Sequence, residues 1–167
     1  MKKSKTLALI MLLGVTFFAL FSTKTVSAET LAVNGRITGV ELCPQEVCQK
    51  AIFTGIFYGK LNRRPAFGTW WVAVNHESLP TAKGSTAAIF PGGHWELRPG
   101  SFTFSGDLNS GTLTCMEDDN FKCLKFSVDA ELNVEKGGSG TLSVLGELDH
   151  TKFPPRITGT LKVVIEK

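Results

Sequence analysis

The chain has 167 residues, 43% of them hydrophobic, with 18 basic and 15 acidic side chains and four cysteines. This length suits one globular domain. Four of the lysines lie in the first 28 residues, which contain no acid, so the remainder has 14 basic against 15 acidic residues. That remainder lacks the basic excess of a nucleic-acid-binding protein, because its only basic cluster is a short one at residues 60–64.

The first predicted element is a cleaved secretory signal peptide at residues 1–28. A lysine-rich start precedes a mostly apolar run of fifteen residues, Leu7 to Phe21, and Ala28 ends a small-residue cleavage motif. The run is shorter than the about 20 residues that span a membrane. We therefore predict a bacterial secreted protein, extracellular or in the periplasm or cell envelope, with no membrane contact after cleavage. Residues 29–167 would then form a single all-β domain.

The four cysteines are predicted to form disulfides, because exported proteins fold in an oxidising compartment. We expect local pairing, Cys43 with Cys48 and Cys115 with Cys123, although crossed pairing stays open. The C-x4-C spacing matches neither a zinc site nor a C-x-x-C redox site. Regular strands would place Cys115 inward and Cys123 outward, so local pairing there requires a bulge or an early strand end.

Alternation of apolar and polar residues predicts strands, and no stretch after the leader shows a sustained helical period. Eight or so strands indicate an antiparallel β-barrel stapled by disulfides, with a β-sandwich as the alternative. From Phe102 to Ile165 the side chains predicted to point inward, Phe102 among them, include no acid. The predicted strands are 31–42, 51–61, 66–75, 87–90, 94–97, 101–108, 111–115, 124–136, 142–148 and 157–165.

Two sequence features favour a closed barrel. The segment RITG occurs at 36–39 and again at 156–159, which suits first and last strands that pair, unless the repetition is coincidence. Glycines inside the predicted strands indicate bends or close backbone approach. In addition, the segment 68–70, GTW, resembles the G-x-W of lipocalins and the GTW of avidins, which are barrel families, although here it follows two earlier strands.

Residues 51–75 form a predicted hairpin that is apolar on both faces. One face can enter the core, and the other needs cover by loops, a second sheet, a second copy or a ligand. We therefore name its aromatic residues as binding candidates. We expect Trp71 to share a partner-binding surface with Phe53 and Phe57. The candidates are Phe53, Phe57, Tyr58, Trp70 and Trp71.

No catalytic motif, metal site or cofactor site is predicted. Our leading interpretation is a secreted, non-catalytic binding protein that holds a small apolar ligand in the barrel or a protein partner on the 51–75 hairpin. One alternative is a barrel-mouth isomerase or cyclase that uses His94, Glu96 and His150. A second alternative is an envelope or matrix component that self-associates through the same hairpin, and the oligomeric state is left open.

Overall fold

The computed structural model describes residues 30–42, 50–76, 80–135 and 137–166. These residues form a closed barrel of eight antiparallel strands, in which each strand pairs with the next and β8 pairs with β1. The barrel prediction is therefore confirmed. The described residues form no helix, and so none that is long and apolar enough to cross a membrane. The strands are β1 (Thr30–Glu41), β2 (Lys50–Leu61), β3 (Arg64–His76), β4 (Thr86–Pro99), β5 (Phe104–Asp119), β6 (Lys122–Asn133), β7 (Ser139–Asp149) and β8 (Arg156–Glu166).

The two RITG segments close the barrel by pairing with each other. Thr38 lies opposite Thr158 at the centre of this pairing. On either side, the isoleucine of one segment lies opposite the glycine of the other. Within these two segments each inward isoleucine therefore faces a glycine across the seam, which allows close packing inside the barrel.

Strands β4 and β5 are each one long strand, where the sequence predicted two short ones. The residues taken for turns are bulges, with register shifts between Ile89 and Gly93 on β4 and between Leu108 and Ser110 on β5. Gly92 has a φ of 91°, which glycine adopts easily. A bulge inserts a residue and bends a strand without ending it, so the turn-like composition misplaced these boundaries.

The interior is filled by the side chains that the alternation predicted to point inward on β6, β7 and β8. The prediction for Phe102 is wrong: this residue precedes β5, is 57% exposed, and stacks on the ring of Phe104. The predicted close approach at interior glycines is confirmed. A Cβ at Gly146 would collide with the ring of Phe126, and one at Gly39 would meet Trp70. Large rings thus occupy the space that these glycines leave.

The predicted disulfide between Cys115 and Cys123 is present, with their Cα atoms 5.7 Å apart. Register shifts on either side of Glu117 bring the two cysteines together across β5 and β6. The bulge that the alternation required is therefore found. The other predicted pair, Cys43 and Cys48, lies outside the described residues.

Candidate functional site

A cavity of about 60 Å³ lies inside the barrel. Phe53 and Trp70, two of the predicted binding residues, line it together with Trp95, Leu108 and others, and nearly all of its surface is carbon. The predicted candidate Phe57 is also inside the barrel and fully buried. The interior therefore contains three of the five predicted binding residues.

Two of the tryptophans that line the cavity, Trp70 and Trp95, direct their polar atoms into the barrel wall. The indole N–H of Trp70 donates to the carbonyl oxygen of Ile56 at 3.1 Å, and that of Trp95 donates to the carbonyl oxygen of Asn133 at 3.3 Å. Since both donors are used by the backbone, the rings offer only carbon surface to the cavity. This arrangement favours an apolar occupant.

Two ionisable side chains that were not predicted to be functional point into one end of the barrel, which we call the Glu41 end. Glu41 and His76 are the buried polar residues of the described chain, each 3% exposed. Alternation could have found both, because Glu41 continues the inward series of Val33 and Ile37, and His76 continues that of Val74. The sequence prediction missed them because it searched for inward acids only after residue 101 and ended the third strand at residue 75.

Glu41 lies among apolar neighbours. It is opposite Phe53 in the register of β1 and β2, and its backbone N–H donates to the carbonyl oxygen of Pro155 at 2.9 Å. Within the described residues, no side chain forms a hydrogen bond with its carboxyl group. Burial raises the pKa of Glu41 to about 7, because removing a carboxylate from water disfavours its charged form.

The remaining aromatic candidates lie on the outside of the barrel wall. Trp71 is opposite Thr54 in the register, so it points away from the interior, and Tyr58 is opposite Phe67. Tyr58, Phe67 and Ile56 are 70%, 59% and 45% exposed, and we call these three residues the outer aromatic face. The expectation that Trp71 shares a surface with Phe53 and Phe57 is therefore wrong. Both faces of the hairpin are apolar, so composition did not show which residues share a face.

Of the three residues of the enzyme alternative, His94 and Glu96 share the outer face of β4, as predicted, but His150 does not join them. The His94 ring lies on the outer wall with Nδ1 3.2 Å from Asp107 Oδ1, and Glu96 forms an ion pair with Arg98. His150 lies in the connection after β7, where Nε2 is 3.1 Å from a backbone oxygen. Nor does the described part of the chain contain a group of three or more side chains that could hold a metal ion.

Comparison of the chain with protein-family models, with curated proteins and with solved structures finds no match. The features that bear on function are therefore those of the barrel itself. They are the apolar cavity with the Glu41 end beside it, and the outer aromatic face.

Proposed function

We propose that this is a secreted, non-catalytic binding protein that holds a small apolar ligand inside its barrel. The observation that carries the proposal is the carbon-lined cavity of about 60 Å³. Close-packed interiors contain few voids larger than a water molecule, and empty apolar cavities stay dry and take up apolar guests. A guest in this cavity would displace no ordered water and would gain contacts with aromatic rings.

The size of the cavity limits the ligand. A water needs about 10–15 Å³ of such volume, so the cavity of about 60 Å³ has room for on the order of four heavy atoms. Ordinary drug-sized sites are several times larger, at about 300–1,000 Å³. We therefore expect a compact guest, or one short apolar arm of a larger molecule that enters from a barrel end.

Xenon tests whether the cavity takes up an apolar guest. We expect xenon pressure to shift the methyl NMR signals of Leu108, Ile157 and Leu161, which line the cavity, and to leave exposed Leu145 unchanged. Ala130→Leu should abolish these shifts, because Ala130 lines the same cavity and a larger side chain would fill it. Ala130→Val is the milder substitute if Leu destabilises the fold. Unchanged methyl signals in the wild type would contradict the proposal.

The outer aromatic face supports a second candidate function, docking of a protein or of a second copy of this chain. Tyr58 and Phe67 pair across β2 and β3 with most of their surface in water. Exposed aromatic clusters of this kind are enriched at protein interfaces. The isomerase or cyclase alternative has no comparable support, because His94 and Glu96 lie on the outer wall and His150 lies in the connection after β7.

Self-association through this face is measured by analytical ultracentrifugation over a wide concentration range. We expect the wild type to gain mass with concentration and the double variant Tyr58→Ser, Phe67→Ser to stay monomeric. The variant should keep its xenon response, because both side chains lie outside the wall. A wild type that is monomeric at every concentration would exclude the second copy as the occupant.

A further inference from the structure

We infer that Glu41 is the recognition group of the interior site and that the ligand is an organic amine with a short apolar body. This inference rests on the proposed function, because it names the chemical class of the guest. It starts from the position of Glu41 on the inner wall at one end of the apolar cavity. In the register, the cavity-lining Phe53 lies directly opposite Glu41, and the cavity-lining Ile157 lies opposite Gly39, the preceding inward position of β1.

A carboxyl group in this position is costly for the unliganded protein. Buried polar groups nearly always have hydrogen-bond partners, and burying a carboxylate without one is strongly unfavourable. The described residues provide Glu41 with no side-chain partner. A hydrophobic side chain would continue the series of Val33 and Ile37 at no such cost. The acid therefore fits a role in which a bound group pairs with it.

The chemistry of the site favours a cation as that partner. An ammonium group can donate charge-assisted hydrogen bonds to the carboxylate, while its carbon chain occupies the cavity. A ligand carboxylate would be repelled, and an alcohol would donate one hydrogen bond without compensating the charge. Successive inward side chains of a strand are about 7 Å apart, so a four-carbon amine can reach from the Glu41 carboxyl towards the cavity.

Among the residues that the structure describes, His76 on β3 is the other ionisable side chain that faces the interior at this end. Lys50 on β2 and Arg156 on β8 belong to strands beside Glu41, but both are exposed on the outer surface. Comparison of the wild type with a Glu41 variant isolates the contribution of Glu41 to a pH profile of binding, since His76 is present in both.

The test uses n-butylamine and n-butanol, which have similar shapes, and reads binding from tryptophan fluorescence, to which the cavity-lining Trp70 and Trp95 contribute. We expect butylamine to bind the wild type more tightly at pH 8 than at pH 5.5, since only the carboxylate form attracts the ammonium. Glu41→Gln should weaken butylamine binding by about tenfold or more and leave butanol binding unchanged. Glu131→Gln, exposed on the outer wall of β6, is the matched control and should change neither. Glu41→Met serves the same purpose if the Gln variant does not fold.

Each other outcome counts against the inference. If butanol binds but butylamine binds no more tightly, or if Glu41→Gln leaves amine binding intact, Glu41 is not the recognition group and the apolar site still stands. If xenon binds but neither four-carbon probe does, the cavity is too small for such a ligand and the inference fails. If neither xenon nor the probes bind, the proposed interior site and the inference both fail.

Discussion

Replacing Phe57 by alanine is expected to lower the free energy of unfolding by about 3–5 kcal/mol. Its ring is fully buried and lies against Gly35, where a Cβ would collide with it. The backbone of β1 and β2 is already in close contact at this position, so the wall cannot move inward to fill the space. The variant would therefore retain a cavity, and the loss should fall in the upper part of the range for such substitutions.

Phe67→Ala is the matched control for this prediction, because the same side chain is removed from the adjacent strand. Phe67 is 59% exposed on the outer wall, so its removal should cost less than about 1 kcal/mol. Urea unfolding, with the Cys115–Cys123 disulfide left oxidised, measures both variants. Equal losses of unfolding free energy in the two variants would contradict the placement of Phe57 inside the barrel and Phe67 outside it.

Glu41→Gln is expected to make the unliganded protein more stable at pH 8 by about 3 kcal/mol. Burial raises the pKa of Glu41 from its ordinary value of 4.5 to about 7 in the folded state. Between these values the folded protein binds more protons than the unfolded chain, so the contribution of Glu41 to stability falls as pH rises. One unit of pKa corresponds to about 1.36 kcal/mol, which gives the total of about 3 kcal/mol between pH 4.5 and pH 8.

Urea unfolding of the wild type and Glu41→Gln at half-unit steps from pH 4 to pH 8.5 provides the measurement. The difference between the two proteins isolates Glu41, because every other titrating group is common to both. It should be small at pH 4, grow through pH 7 and then level off. A difference that is constant with pH would show that Glu41 has an ordinary pKa and that its carboxyl is solvated.

The sequence was sufficient to predict the class of fold and most of the inner wall. Alternation from Phe126 to Ile165 placed the inward residues of β6 to β8 correctly, because one side of these strands is apolar and the other is polar. At the start of β6 it failed, since Cys123, predicted to point outward, packs against the core. The repeated RITG predicted the pairing of β1 with β8, which the register shows residue by residue. The Cys115–Cys123 pairing was also predicted, together with its need for a bulge.

The site was harder to predict, for two physical reasons. In residues 51–75 both faces of the strands are apolar, so composition did not show that Phe53 and Phe57 point inward while Tyr58 and Trp71 point outward. Glu41 was not singled out, because an acid near a strand end is normally solvated. The fold places Phe53 of β2 opposite it and brings the backbone of Pro155, just before β8, into hydrogen-bond contact with it.

The β1–β8 seam also determines the order in which the barrel can assemble. All other strand pairs join neighbours along the chain, whereas the seam brings together distant residues such as Val33 and Val163. Contacts between distant segments are slow to form, because the loop entropy is lost before the contact is gained. We therefore expect the meander of hairpins to form first and the seam last. Until the seam forms, β1 and β8 are open edges. Because the seam pairs one RITG segment with the other, β1 can also pair with β8 of a neighbouring chain, and β8 with β1 of that chain.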